Sequence, residues 1–531
     1  MTTWTCARRK GAIAALAMLA MLILPALLAC SAPAARQAPK TAAEPGVLRI
    51  LNSFTIDSLD PAKPGEQWFP TFGSSELLMQ LTEHDELKPW LAESVDRIND
   101  TSWRIRLRPG VTFQNGKKVD ARAVVACMRR QQEKFPTATA LLPGAKIEAT
   151  GDLELTITTA TPDAIVPAKL AEFNGFPIYD AATVEAAGDH PDTLAGKGFY
   201  TGPYEPVSFS KTELVLKRYD GYWQGRPALP GVTVRTVLDA QARLAAIQNK
   251  EADLSLYPPT ETKRTLAGRS DAFFVTAPAG EESLRIEMNQ HQAPFNEYAV
   301  RRAFGYAIDY KALANEVMDG AYAVATGMLP AGAQGAVPNQ TTDLTKATAL
   351  LEKAGWLPGP DGIRQKGGNR LEVVLYCYPQ QPDTASQAVA IQEEVRKAGF
   401  DVKIMQSDDI TSVLLKPSGW NAALVFNGTI SPWSGVPDTS LTRYLSSGSP
   451  DNYSGTSDPE LDKLISQLSA TFDQSERLRL LQRIQRIVID EKAYLIVASY
   501  KRFPMVVGPA YRGYVPSNYR RFVNFDTKPS P

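Results

Sequence analysis

The chain has 531 residues, which is too long for one compact hydrophobic core and predicts two or three domains. Hydrophobic residues make up 44% of the sequence and charged residues 21%, a composition that excludes disordered and collagen-like proteins. Because 57 lysines and arginines balance 57 aspartates and glutamates, the charge gives no reason to expect a nucleic-acid partner.

The N-terminus has the layout of a secretory signal. Three basic residues at 8–10 precede an apolar stretch at 11–28, and the sequence Leu-Leu-Ala-Cys ends at Cys30. These four residues resemble a bacterial lipobox. The resemblance implies that residues 1–29 are a lipoprotein signal peptide and that Cys30 is lipidated.

Two alternatives to a lipoprotein signal stay open. One is plain secretion with cleavage after Ala34, and the other is a retained membrane anchor, since about 18 apolar residues can just span a bilayer. Residues 30–46 are rich in alanine and proline and predict a flexible tether.

Local patterns predict the first elements of the mature chain. Residues 48–51 have the character of a short strand, and Ser75 to His84 predict a helix. Apolar residues at 103, 105 and 107 alternate with arginines, which is typical of a half-buried strand. Asp120 then stands at the N-cap position of an amphipathic helix.

The stretch from 197 to 225 combines a turn, a strand and an aromatic cluster. Gly202 and Pro203 suit a tight turn. Leu214 and Leu216 alternate with polar residues and predict a strand with one buried face. The segment then ends in a run that contains two tyrosines and a tryptophan, at positions 219, 222 and 223.

Two further patterns lie in the second half of the chain. Residues 294–309, PFNEYAVRRAFGYAID, predict an amphipathic helix. A strand at 371–376, a helix at 384–398 and a strand at 402–405 follow one another with short connections, which is typical of a parallel βαβ unit.

Three segments resemble, in this order, the signatures of bacterial extracellular solute-binding protein family 5, which serves peptide and nickel ABC importers. They are the strand–turn–helix at 103–120, the stretch at 197–225 and the segment at 289–309. The resemblance implies an α/β, two-lobed periplasmic-binding-protein fold, class II-like, with an extra subdomain in the first lobe. We expect lobe I at 47–282 and 498–531, with its inserted subdomain at about 66–195, and lobe II at 283–497.

The resemblance also implies a function without catalysis. We expect a substrate-binding lipoprotein that captures a small solute, a di- or oligopeptide, between two lobes and delivers it to ABC permease and ATPase subunits. The alternatives are a nickel or other metal chelate as the solute, and a secreted hydrolase without a recognisable motif. We expect a monomer on the periplasmic or extracytoplasmic face, held to the membrane by lipid, with no cofactor and no protein metal site.

Chemistry-bearing motifs are scarce, in agreement with a binding protein. The chain has three histidines, and it contains no G-x-S-x-G, HExxH, P-loop or dinucleotide-binding fingerprint. Cys127 and Cys377 lie far apart in sequence, and we expect two buried free thiols.

Three loops are candidates for the ligand site, because ligands in such folds bind in loops at strand ends. Related proteins use corresponding loops, which implies that the candidate residues contact the ligand, although subdomain packing, core packing and helix capping are the alternatives. In nickel-chelate binders a stretch like 172–177 carries an arginine, and this chain has none there, which favours peptides. The candidate residues are Gln67, Trp68, Phe69, Tyr378, Asn427, Trp433 and Asp438.

Overall fold

The computed structural model of the chain describes residues 46–63, 68–82, 86–188, 190–278, 282–426, 428 and 434–531. Cys30 and the predicted signal peptide lie outside these residues. The strands are β1 (Leu48–Asn52), β2 (Met79–Leu81), β3 (Leu87–Pro89), β4 (Ala92–Asn99), β5 (Ser102–Leu107), β6 (Lys146–Ala149), β7 (Glu154–Thr158), β8 (Tyr204–Phe209), β9 (Glu213–Arg218), β10 (Gly231–Thr236), β11 (Leu254–Leu256), β12 (Phe273–Thr276), β13 (Glu282–Met288), β14 (Tyr322–Val324), β15 (Leu357–Pro358), β16 (Arg364–Lys366), β17 (Asn369–Arg370), β18 (Glu372–Cys377), β19 (Asp401–Gln406), β20 (Ala422–Phe426), β21 (Ile496–Lys501) and β22 (Pro504–Val507).

Helices connect these strands, and within the described ranges none of them is long and apolar enough to cross a membrane. The α-helices are α1 (Trp68–Thr71), α2 (Ala121–Lys134), α3 (Pro136–Leu141), α4 (Val166–Lys169), α5 (Ala181–Ala187), α6 (Ala240–Gln248), α7 (Thr262–Thr265), α8 (Tyr298–Ala307), α9 (Tyr310–Ala312), α10 (Leu344–Lys353), α11 (Asp383–Arg396), α12 (Ile410–Leu414), α13 (Pro437–Leu445), α14 (Pro459–Ala470) and α15 (Gln474–Gln485).

Two large sheets organise the molecule. A seven-stranded sheet has the order β12-β22-β11-β1-β10-β9-β8, and a six-stranded sheet has the order β14-β21-β13-β20-β18-β19. We call the part around the seven-stranded sheet the first lobe and the part around the six-stranded sheet the second lobe. The first lobe also carries a four-stranded sheet, β4-β5-β7-β6. The chain passes to the second lobe between Thr276 and Glu282 and returns between Lys501 and Pro504.

Each lobe has a hydrophobic core of its own. Ile50, Phe69 and Val232 belong to the core of the first lobe. Ile286 and Val373 belong to a separate cluster in the second lobe. Such two-layered burial of apolar side chains between a sheet and its helices is what stabilises an α/β lobe.

The structure confirms the elements that local patterns predict most strongly. Asp120 caps α2, because its side chain accepts a hydrogen bond from the backbone N–H of Ala123 at 2.9 Å. The predicted βαβ unit is β18, α11 and β19, with the two strands parallel. The two thiols Cys127 and Cys377 are buried and free.

The predicted helix from Ser75 to His84 is wrong. The described part of that segment holds the strand β2, and Glu76 forms an isolated antiparallel bridge with Ile178. The physical reason is tertiary, because the fully buried Glu76 side chain accepts hydrogen bonds from the Tyr222 hydroxyl at 2.7 Å and from the Trp223 indole at 3.1 Å. A carboxylate out of water has to keep such donors, and this requirement overrides helix propensity.

The same contacts explain the stretch from 197 to 225. Its turn packs directly on the backbone before β2, where a Cβ on Gly202 would lie 2.5 Å from the Gly73 carbonyl oxygen. The Gly202 N–H donates to Ser74 O at 2.8 Å. Glycine is therefore required there by close approach. The aromatic end of the stretch then closes over Glu76, so the whole segment is a structural part of the first lobe.

Burial raises the pKa of Glu76 to about 7, although the hydrogen bonds from Tyr222 and Trp223 oppose the shift. The unfolded value is about 4.3, so the folded protein binds more protons between these two values. The contribution of Glu76 to stability is present below about pH 4.3 and is lost as pH rises through about 7. We expect the free energy of unfolding of the wild type to fall, relative to Glu76→Gln, by up to about 1.4 kcal/mol per pH unit in this window. Urea unfolding of both proteins measures this difference, and parallel curves would contradict it.

Candidate functional site

A cavity of about 550 Å³ is lined by residues of both lobes. The first lobe contributes Phe54, Trp68 and Tyr257, and the second lobe contributes Tyr378 and Phe426. Helix α13 and the loop after it supply hydroxyl and charged side chains on the second-lobe side. An aromatic wall with a few polar groups is the usual construction of a small-molecule site.

Trp68 begins the short helix α1, and the structure places its side chain on the cavity. The indole stacks on Phe72, with ring centroids 5.8 Å apart and an interplanar angle of 12°. The ring of Phe54 packs against the indole, with the ring centroids 5.6 Å apart. The ring is thus held rigidly by other aromatic side chains, which lowers the entropy cost of using it as a contact surface.

Phe69 does not face the same way as its neighbour. The ring is fully buried in the core of the first lobe and stacks on Tyr200 at a centroid distance of 5.0 Å. It is not one of the cavity-lining residues. The structure therefore places Trp68 at the cavity and Phe69 behind it.

Tyr378 follows β18 and also lines the cavity. Its hydroxyl oxygen accepts a hydrogen bond from the backbone N–H of Phe426 at 3.4 Å. Burial raises the pKa of Tyr378, so the hydroxyl stays protonated at neutral pH. The structure thus brings Tyr378 and Trp68, which come from different lobes, to one cavity.

Asp438 lies in the first turn of α13 and is fully buried. Both of its carboxylate oxygens accept hydrogen bonds from the Arg477 guanidinium, at 2.8 and 3.0 Å. The next residues, Thr439 and Ser440, line the cavity, whereas Asp438 does not. Burial raises the pKa of Asp438, and the positive charge of Arg477 opposes that rise. The remaining candidates, Gln67, Asn427 and Trp433, lie outside the described residues.

Charged side chains that we did not predict also line the cavity, and oppositely charged groups accompany them. Arg520 forms an ion pair with Glu282, and Arg443 forms one with Asp451 at 2.5 Å. Lys169 contacts Asp163 at 2.5 Å. These partners are distant in sequence or lie in loops, so no local pattern could have found them.

Glu172 adds a carboxylate that hydroxyl groups hold in place. It accepts hydrogen bonds from Ser434 at 2.5 Å and from Thr439 at 2.9 Å. Because Glu172 belongs to the first lobe and the two hydroxyls to the second, this contact joins the lobes at the edge of the cavity. The wall therefore offers charges of both signs.

Lys501 is buried and does not itself line the cavity, but it contacts three residues that do. Its ammonium donates to the Gln381 side-chain oxygen at 2.6 Å, and it lies 4.3 and 5.0 Å from the ring centroids of Phe426 and Tyr257. Burial lowers the pKa of Lys501 to about 7, and the charge of Asp383 opposes the shift. Rings around an ammonium supply cation–π attraction in place of water.

Among the described residues, no group of three or more histidine, cysteine, aspartate and glutamate side chains is arranged to hold a metal ion. This observation concerns direct protein ligands. A metal that arrives inside a small-molecule chelate would be cargo and would not need such a group.

The chain is similar to known proteins over almost all of its described length. The family model for bacterial extracellular solute-binding proteins, family 5 Middle, matches residues 86–452. The nickel-binding periplasmic protein of Escherichia coli strain K12 is 27% identical over 462 residues, which cover 83% of this chain and 86% of that protein. The glutathione-binding protein GsiB of Pectobacterium atrosepticum is 27% identical over 480 residues, which cover 87% of this chain and 90% of that protein.

A solved structure agrees with the fold. NikA from Staphylococcus aureus in complex with Ni(L-His)2 superimposes with a TM-score of 0.81 at 22% identity, covering 91% of this chain and 100% of that one. The predicted two-lobed periplasmic-binding-protein fold is thereby confirmed. The family match spans more than half of the sequence and sets the hydrolase alternative aside. The chain therefore belongs to the bacterial extracellular solute-binding proteins of family 5, and it is a binding protein and not an enzyme.

Proposed function

We propose that this protein captures a di- or oligopeptide in the cavity between its lobes and delivers it to the permease and ATPase subunits of an ABC importer. The observation that carries the proposal is the cavity of about 550 Å³ that Trp68 and Tyr378 line from opposite lobes. A ligand that contacts both lobes favours the closed form, which is the general basis of hinge closure.

The chemistry of the wall fits a peptide. A peptide carries an amine, a carboxylate and apolar side chains, and the cavity offers Glu172, Arg520 and an aromatic surface. The similarity to a glutathione-binding protein supports this class of solute. A nickel chelate is the second candidate, and the similarity to a nickel-binding periplasmic protein favours it.

The candidate contact residues are part of the proposal. We propose that Trp68 and Tyr378 contact the solute, together with Gln67, Asn427 and Trp433. For Phe69 and Asp438 the buried stacking and the ion pair with Arg477 support structural roles. We keep the proposed lobes at 47–282 with 498–531 and at 283–497. The change of sheet between Thr276 and Glu282 supports the first boundary, whereas the second boundary falls inside β21, a strand of the second-lobe sheet.

We further propose that the protein is a monomer on the extracytoplasmic side of the membrane. Lipid on Cys30 would hold it there, and residues 30–46 would act as the tether. The four residues that end at Cys30 support this anchor, and metabolic labelling with a fatty-acid analogue in wild type and Cys30→Ser tests it.

Removing the Trp68 indole is expected to weaken ligand binding by at least about tenfold, because buried aromatic anchors dominate binding energy. Isothermal titration with reduced glutathione and with the nickel–histidine complex measures the change and separates the two candidate classes. Trp356→Ala is the matched control, since this indole is also 5% exposed and lies outside the cavity. If Trp68→Ala binds both ligands with wild-type affinity, this cavity is not the solute site.

A further inference from the structure

Tyr257 is one of the residues that line the cavity, and its hydroxyl has no hydrogen-bond partner among the residues that the structure describes. The residue is only 1% exposed, so its hydroxyl is removed from bulk water. A buried hydroxyl without a partner is costly, and natural proteins rarely keep one without a reason. A ligand in the cavity would supply the missing partner.

The backbone of Tyr257 is also strained. Its φ angle is +53°, in the left-handed region that a bulky side chain rarely adopts. Such outliers cluster at ligand-binding sites, because the surrounding structure must hold them in place. Strain and an unsatisfied hydroxyl are two independent observations at the same residue.

Neighbouring groups hold this conformation. The buried guanidinium of Arg243 donates to the Tyr257 carbonyl at 2.9 Å and to the carbonyls of Val237 and Leu238 at 2.7 and 2.8 Å. The ring packs edge-on against Phe54 and Phe503, at centroid distances of 5.0 and 4.9 Å. The hydroxyl is therefore presented by a fixed side chain.

Hydrogen-bond donors collect at this end of the cavity. The Tyr378 oxygen already accepts from Phe426, which leaves its O–H to donate. Arg520 lines the same cavity with its guanidinium, which Glu282 holds. Lys501 lies 5.0 Å from the Tyr257 ring. Burial raises the pKa of Tyr257, so its hydroxyl is also a donor at neutral pH. Tyr257, Tyr378 and Arg520 thus bring three donor groups to the lining of the cavity, where the Glu282 carboxylate is paired with Arg520.

We propose that Tyr257 is a specificity-determining residue whose hydroxyl donates a hydrogen bond to a carboxylate of the bound solute, beside Tyr378 and Arg520. A carboxylate accepts several hydrogen bonds at once and is attracted by the Arg520 guanidinium. This inference rests on the proposed function, because it takes the cavity as the solute site. It specifies a carboxylate as the chemical group of the solute that this end of the cavity recognises.

The test compares wild type with Tyr257→Phe, which removes one oxygen and keeps the ring. Trialanine and trialanine amide serve as probes, because they differ only in the C-terminal group. We expect Tyr257→Phe to bind trialanine about tenfold to a hundredfold more weakly, and to lose much less affinity for the amide. An equal loss for both probes, or no loss for trialanine, would overturn the proposal.

Two control variants test whether the Tyr257 hydroxyl contributes to the stability of the ligand-free protein. Tyr519→Phe removes another buried hydroxyl that has no partner within the described part of the chain, and this residue lies outside the cavity. Tyr310→Phe removes one that donates to Gly305 O at 2.7 Å. We expect the unfolding temperature of Tyr257→Phe to stay level or rise, as in Tyr519→Phe, whereas Tyr310→Phe loses stability.

The unfolding temperatures of the ligand-free variants test this inference independently of the proposed function. If wild type binds neither peptide probe, the peptide proposal fails while the stability comparison still decides the role of the hydroxyl. A Tyr257→Phe protein that loses as much stability as Tyr310→Phe would show an internal structural role and would overturn the inference.

Discussion

Replacing Asp438 by alanine is expected to lower the free energy of unfolding by about 3–5 kcal/mol. The carboxylate is fully buried, and the Arg477 side chain that it holds is only 14% exposed. Without its partner, the guanidinium would remain buried as an uncompensated charge. Urea unfolding measures the loss, and Asp438→Asn should fall between the two proteins because it keeps one acceptor oxygen.

Glu460→Ala is the matched control for Asp438. Glu460 pairs with Arg483 at 2.8 Å, but both side chains are exposed, at 57% and 38%. Such surface pairs contribute about 0–1 kcal/mol, so this variant should stay close to wild type. An Asp438→Ala protein with wild-type stability and lost affinity for glutathione would contradict the structural role and make Asp438 a ligand residue.

Replacing Lys501 by methionine is expected to change how stability depends on pH above neutrality. The pKa of Lys501 is lowered to about 7 by burial, whereas the unfolded value is about 10.4. Between these values the unfolded chain binds more protons, so the stability of the wild type rises with pH by up to about 1.4 kcal/mol per unit. Lys501→Met lacks this rise, and it should be the more stable protein near pH 7.

The charged groups around Lys501 are the same in both proteins. Asp383 contributes to its electrostatic environment, and Glu282 is its register partner on the neighbouring strand. Urea unfolding between about pH 7 and 10 measures the difference in slope, and Lys403→Met is the control, since Lys403 is 56% exposed. Identical slopes for wild type and Lys501→Met would rule out the buried, weakly basic lysine.

Much of the fold was predictable because its elements depend on local patterns. The alternating strand β5, the cap at Asp120 and the stripe of α8 each follow from residues close together in sequence. The helix prediction for the segment after Ser75 was wrong for the opposite reason. The Glu76 carboxylate accepts its hydrogen bonds from Tyr222 and Trp223, which lie in a distant part of the chain.

The candidate site was predictable only in part. Trp68 could be selected because its segment resembles a loop that faces the cleft in related proteins, and Tyr378 because it ends a strand, where ligands of such folds bind. Tyr257 gave no such signal, since a left-handed backbone at a tyrosine leaves no trace in the sequence. The pair of Arg520 with Glu282 depends on the packing of the two lobes and could not be found from spacing.

Native mass spectrometry of the gently purified full-length protein tests the solute-binding account most directly. We predict one small molecule retained per chain and released unchanged on denaturation, with a mass that identifies a peptide or a nickel chelate. Trp68→Ala should retain less of it, and Trp356→Ala should retain the wild-type amount. Conversion of the retained molecule, or a wild-type protein that retains nothing and binds neither glutathione nor the nickel–histidine complex, would contradict the account.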